Sequence, residues 1–375
     1  MINYTFIEVQ DQIPKLINEM SGADYISIDS ESDGLYSYAD KLCLVQLEFD
    51  GKIYLIDTLK VDITPMKEVF ESSGIEKIFH SAYSDISMIK KNIKSEFVNI
   101  FDIMIASKYI FKKAVSLSNL VNNYFNFQLN KKFQKTNWGK RPLNNELLDY
   151  AAMDVYYLKK LRDIFLKDLK EKGLYEEFRY TCEKLSRTPP KTNEFTLEKY
   201  ISMAHTYCLE GMEFSIFLEI VKKREEVAQK LNLPPFKIIT NELLLYIAKH
   251  YDEILNAKDI KLYNRCIVRN IEWIRASIKS VIEGEVRYFN NVFYRNGGNT
   301  DYEIKLKMLK KWRREKSEKT VIPCELIVDL HILKQIARLD KIDLNKLVEL
   351  GMDEKRIEKY GNDLINFFNS LQKKE

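Results

Sequence analysis

The second half of the sequence contains one pattern twice. Lys222-Lys-Arg-Glu-Glu-Val-Ala-Gln-Lys-Leu-Asn-Leu-Pro234 aligns without gaps on Lys311-Trp-Arg-Arg-Glu-Lys-Ser-Glu-Lys-Thr-Val-Ile-Pro323, an offset of 89 residues. The same offset carries Ile238-Ile239 onto Ile327-Val328, and Ile247-Ala248-Lys249 onto Ile336-Ala337-Arg338. A fixed period of this size marks a duplicated unit that buries its apolar face as one small domain. It predicts two all-helical copies, at 201–290 and 291–375.

The first third has a different grammar. Tyr25-Ile-Ser-Ile-Asp29 alternates apolar and polar residues and reads as a strand. Leu42–Phe49 and Lys52–Asp57 read as two more, joined by Asp50-Gly51, a dipeptide suited to a type I′ hairpin. Thr64-Pro65 resembles an N-cap with proline at the first helical position. Lys77–His80 and Phe97–Ile103 are expected strands, Asp85–Asn92 an expected helix, and from Leu117 onward the pattern is helical. This order predicts a mixed sheet with helices on its faces, over residues 1–185. Ser186–Asn193, polar and with two prolines, reads as the core of a linker over 186–200.

Composition removes several functional classes. The opening residues lack a basic segment followed by a long apolar one, and no apolar run approaches 18 residues. The expectation is a cytoplasmic protein with no membrane partner. The five cysteines form no Cys-x-x-Cys pair and the four histidines are scattered, which argues against a zinc cage or a disulfide framework. The net charge of +4 is unremarkable, but basic residues cluster over Lys131–Arg141 and Lys305–Lys319.

The chemistry-bearing residues are carboxylates. Asp29 and Glu31 are two apart at a strand end, so both project to one face and can reach one cation. Asp85 follows a strand and a Ser/Ala turn and sits in the first turn of an amphipathic helix, where an acid also serves the helix terminus. Tyr150 and Asp154 are four apart on a helix, so a phenol lies over a carboxylate. A calcium loop beginning at Asp29, with Asp33 and Gly34 in place, is disfavoured because a strand rather than a helix precedes it, Glu31 and Asp40 depart from its third and twelfth ligands, and no second copy follows.

D-x-E, then an Asp opening a helix, then Y-x-x-x-D, in this order, resembles the tyrosine subclass of the DEDD 3′→5′ exonucleases. Phe79-His-Ser-Ala, Asn137-Trp-Gly-Lys-Arg-Pro-Leu and Asp149-Tyr-Ala-Ala-Met-Asp resemble ribonuclease D more specifically, and the duplicated helical unit resembles its tandem HRDC domains. The resemblance implies a ribonuclease H-like α/β exonuclease domain with a mixed sheet, followed by two all-α HRDC domains. It implies Asp29, Glu31, Asp85 and Asp154 as ligands of two divalent cations, Mg²⁺ or Mn²⁺, with Tyr150 orienting the attacking water. It further implies an RNA substrate, such as tRNA precursors with single-stranded 3′ tails, no nucleotide cofactor, and a monomer. Ser32 and Asp149 stand where relatives often carry an aromatic and a Glu.

In that setting Lys132, Lys135, Trp138 and Arg141 become candidates for RNA binding, as do Lys311, Arg313 and Arg314 on the basic helix. Asp57 and Asp102 read as structural strand-end acids, and His80 as a structural histidine. Two other readings remain at this point: a DNA exonuclease, and a non-catalytic nucleic-acid-binding protein on a relic fold.

Overall fold

The computed structural model describes residues 2–192, 194–284, 288, 300–320 and 322–372. The first domain is built on one six-stranded sheet in the order β1-β4-β3-β2-β5-β6: β1 Thr5–Ile7, β2 Tyr25–Ser32, β3 Leu42–Phe49, β4 Lys52–Ile56, β5 Glu76–Phe79 and β6 Ile100–Asp102. The β2, β3 and β4 strands form an antiparallel meander, while β1, β5 and β6 join in parallel. The sheet is mixed, as the sequence implies. Asp50 and Gly51 both have positive φ, 50° and 73°, as a type I′ hairpin requires.

Two expectations shift. The strand expected over Phe97–Ile103 is confined to Ile100–Asp102, because the Asp102 carboxylate caps the next helix, Ile103–Phe111, by accepting from the Ile105 N–H. Thr64 lies inside a short 3₁₀ turn, Thr64–Met66, whose N-cap is Ile63. The 3₁₀ form tightens the entry to the following helix, Lys67–Glu71.

Each face of the sheet has its own core. Ile26, Ile28, Val45 and Leu47 point to one face, against the helix Ile13–Met20 and the Asp85 helix, Tyr83–Ile93. Alternation along β2 therefore turns Ser27, Asp29 and Glu31 to the other face. There the Tyr150 helix, Asn145–Tyr156, crosses β2, β3 and β4. The site forms at the end of β2, where a register shift between Glu31 and Ser32 breaks its ladder with β3.

Beyond the first domain the elements among the described residues are helical. The first copy contains the long helix Gly211–Leu231, a four-residue turn of helix at Pro235–Ile238, and Asn241–Lys249. The second contains Thr300–Thr320, Cys324–Ile327 and Leu330–Ile336, whose starts keep the offset of 89. One hydrogen bond repeats with it: Arg224 Nη1 donates to the Ile239 carbonyl at 2.8 Å, and Arg313 Nη1 to the Val328 carbonyl at 2.9 Å. The segment between the copies, 289–299, lies outside the described residues. The expected linker lies along the first domain. Ser87 donates to the Pro189 carbonyl at 2.8 Å, and the Lys191 N–H to the Ser87 carbonyl at 2.9 Å. No helix among the described residues is long and apolar enough to cross a membrane.

Candidate active site

One ligand oxygen from each of Asp29, Glu31 and Asp154 lies within 4.8 Å of the others, a spacing that one cation can bridge. The three acids come from two elements: β2 supplies the first pair and the Tyr150 helix the third. Asp85 is beside them and outside that triangle. Its carboxylate accepts from the Ser30 hydroxyl at 2.5 Å, so the residue between Asp29 and Glu31 fixes the fourth acid. The turn that launches the Asp85 helix is held in turn by Asp102, which accepts from the Ala82 N–H at 2.8 Å and the Ser81 N–H at 3.3 Å. Ser81 has φ of 72°, a strained value that those bonds stabilise. Asp102 is thus structural, as expected.

Electrostatics give this cluster its chemistry. Burial, then the neighbouring Asp154, pushes the Asp29 carboxyl well above the usual range. Glu31 is raised by burial and by Asp29, Asp154 and Asp85; Asp85 is raised by burial and Asp29, against the pull of the Ser30 hydroxyl. Asp154 is pushed up to about 7 by burial, although the Tyr150 hydroxyl favours its charged form. Burial and the same three acids push the Tyr150 phenol up, so it stays protonated at neutral pH. These acids repel one another and need either protons or cations. An all-carboxylate set suits a hard divalent ion. Gln46, paired with Asp29 across the β2–β3 ladder, is fully buried with neither amide atom partnered by protein.

Asp29, Glu31 and Asp154 line a cleft of about 480 Å³, which His80, Ser116, Ser118, Asn130, Lys131 and Gln134 also line. The His80 ring nitrogen is bonded to the Val115 carbonyl at 2.9 Å, which ties the histidine to the wall. A second hollow of about 300 Å³ shares Leu129, Asn130, Tyr150 and Asp154 with the first and adds Lys132 and Phe133.

Residues 4–170 match the family described as 3′-5′ exonuclease, and residues 306–367 match the HRDC domain. The chain carries a 3′-5′ exonuclease domain followed by an HRDC domain. The exosome complex exonuclease RRP6 of Saccharomyces cerevisiae is 26% identical over 64% of this chain and 35% of its own length. The chain thus spans about a third of that relative. Ribonuclease D of Nitrobacter hamburgensis is 25% identical over 86% of this chain and 85% of its own length. The crystal structure of Escherichia coli RNase D shares the fold, with a TM-score of 0.73 and 20% identity over 98% of this chain and 99% of that one.

The RNA-binding candidates divide. Trp138 is 1% exposed and lies in the exonuclease core, its ring 6.1 Å from that of Tyr150, so it has no face for a base. Arg141 is spent inside the exonuclease domain. Its Nε and Nη2 bond both oxygens of buried Asp57 at 2.6 Å, and its remaining donors hold the carbonyls of Trp138, Lys140 and Cys43. The sequence leaves Trp138 open between a base-stacking and a core role and gives no sign of the Arg141 partner, which is 84 residues away. Lys132 and Lys135 are exposed, and Lys132 borders the second hollow. On the HRDC domain Lys311 and Arg314 are exposed, while Arg313 is half-buried on the Val328 carbonyl. None of these three lines the cleft. Lys131, which the sequence marked only as part of a basic cluster, does.

Proposed function

We propose that this protein is a metal-dependent 3′→5′ exoribonuclease of the ribonuclease D type. The observation that carries the reading is the convergence of Asp29, Glu31 and Asp154 on one point, beside Asp85 and Tyr150, at the floor of an open cleft. A ribonuclease D relative that aligns over 86% of this chain supports RNA over DNA.

Asp29, Glu31, Asp85 and Asp154 would hold two divalent cations, Mg²⁺ or Mn²⁺. Bound there, such ions supply Lewis-acid charge to the scissile phosphodiester and make water a stronger nucleophile. Tyr150, protonated and held between the rings of Phe133 and Trp138, orients that water rather than deprotonating it. Lys131, which lines the same cleft, meets backbone phosphate, and the cleft admits one unpaired strand end. Water attack with departure of the 3′-oxygen leaves nucleoside 5′-monophosphates and a shortened RNA. The substrates on this reading are tRNA precursors and other small RNAs with unpaired 3′ tails, and the working form is a monomer.

The test is a side-by-side digest of RNA and DNA oligomers with unpaired 3′ ends, with the released nucleotides identified. Nucleoside 5′-monophosphates, appearing faster from RNA, are expected. Faster release from DNA moves the reading to a DNA exonuclease. Binding without shortening moves it to a binding protein.

A further inference from the structure

Part of the cleft wall is formed by residues that no strand or helix holds. Leu129, Asn130, Lys131 and Gln134 line it, and Phe133 and Trp138 from the same stretch pack on Tyr150. The 130–141 segment contains no helix or strand. It must therefore be positioned by bonds to its neighbours.

One of those neighbours is the loop leaving β2 at residues 33–40. The Tyr36 hydroxyl donates to the Lys135 carbonyl at 2.6 Å. Gly139 lies so close to Asp33 that a Cβ at 139 would stand 3.1 Å from the Asp33 carboxylate. The loop is itself rigid at its root: Asp33 is buried and accepts from the Lys41 N–H at 2.7 Å and the Ser37 hydroxyl at 2.6 Å.

The same loop is gripped on its far side by the first helical copy. The Tyr38 hydroxyl donates to the Glu225 carboxylate and accepts from Gln229 Nε2 at 2.9 Å, and the Tyr38 N–H donates to Asn232 Oδ1 at 3.3 Å. The Lys237 ammonium stands 3.9 Å from the centre of the Tyr36 ring. A continuous set of contacts therefore runs from Glu225 and Lys237, through Tyr38 and Tyr36, to the backbone of Lys135.

We propose that Tyr36 and Tyr38 are positioning residues through which the first helical copy holds the 130–141 wall in its substrate-binding form. The copy acts on substrate affinity without touching substrate. Its effect on RNA rests on the nuclease reading above; the structural half does not.

The experiment compares the full-length wild type with Tyr36→Phe and Tyr38→Phe, following backbone amide exchange by mass spectrometry and RNA kinetics. Each variant removes a hydroxyl and keeps its ring. Exchange across 130–141 is expected to rise in both, by roughly 5-fold for one hydrogen bond of about 1 kcal/mol. Exchange in the β2–β4 meander should stay as in wild type. KM for a single-stranded RNA should rise by a similar factor with kcat within about twofold. The decisive arm is Tyr38→Phe, since Tyr38 faces the helical copy. Unchanged exchange at 130–141 in that variant overturns the linkage. Increased exchange with unaltered KM, or a fall in kcat at constant KM, overturns its role in substrate affinity. If wild type shortens no RNA, the proposed activity fails while the exchange data still decide the linkage.

Discussion

The two helical copies share a device and differ in their attachment. In each, an arginine on the long helix reaches across to the carbonyl that follows the next short helix, Arg224 to Ile239 and Arg313 to Val328. Arg224 is 1% exposed and also bonds Asn241 and Tyr200; Arg313 is half-buried. The first copy has a core of its own, to which the exonuclease domain contributes Tyr38. The second shares one continuous core with the exonuclease domain, where Leu309, Leu333 and Phe368 belong with Phe101 and Phe178. Its Arg356, 2% exposed, pairs with Glu177, and its Asp353 accepts from Tyr180 at 2.5 Å and pairs with Lys184 at 2.6 Å. The two helical units share helix spacing and a hydrogen bond but bury different faces.

The largest expected effect falls on neither copy. Asp29→Asn should lower RNA hydrolysis by roughly 10³-fold or more, since cation charge at the phosphate is worth several kcal/mol. Both copies should stay folded by circular dichroism. An Asp29→Asn protein near wild-type activity would place the chemistry elsewhere.

Next comes stability. Arg356→Ala leaves half-buried Glu177 with only Lys359, at 3.5 Å, as its ion-pair partner and should destabilise the exonuclease domain by about 3 kcal/mol. Arg224→Ala should cost about 3 kcal/mol confined to the first copy, leaving the Ile239 carbonyl and its neighbours unpartnered. Calorimetry should then show one lowered transition for the exonuclease domain in the former, and an early transition of the first copy alone in the latter. One common transition, equally lowered in both variants, would break the contrast.

The acid cluster predicts an inverted pH dependence. Its folded-state pKa values are raised, Asp154 to about 7, so the folded protein holds extra protons between about pH 4 and 7. The stability this lends is complete below about pH 4 and is lost as pH rises through 7. In EDTA at pH 8, Asp154→Asn should therefore melt a few degrees above wild type, with the gap closing at pH 5. Mn²⁺ should raise the wild-type melting temperature and leave the variant's nearly unmoved. A variant that melts below wild type at pH 8 would mean the carboxylates stabilise the metal-free fold.

The smallest effect belongs to the exposed basic helix. Lys311→Glu with Arg314→Glu should raise KM for long RNA by roughly 2–5-fold and flatten its salt dependence. A dinucleotide should be cut as before. An equal loss on both substrates would place that helix at the cleft.

The sequence displays the acid cluster because each acid sits at a landmark of periodicity: a strand end, a first helical turn, an i,i+4 pair. The mixed sheet was legible for the same reason, and so was the offset of 89 that three pairs of helix starts keep. The fate of Arg141 was not, and the sequence leaves that of Trp138 open between core and surface. Composition marks them as a basic aromatic run, while burial beneath Tyr150 and a bidentate bond to Asp57 depend on a distant strand. The first turn of the Ile103 helix was hidden by the β-favouring Phe97, Val98, Ile100 and Phe101 in front of the Asp102 cap. The part played by Tyr36 and Tyr38 has no local signature, since it exists only between domains.

The most direct measurement is a digest of a 5′-labelled RNA with an unpaired 3′ tail, in Mg²⁺ or Mn²⁺, by wild type and Asp154→Asn. The expected result is a ladder shortening from the 3′ end with wild type, abolished by EDTA and absent with the variant. A ladder that survives in Asp154→Asn, or persists in EDTA, would contradict the assignment of the chemistry to this cluster.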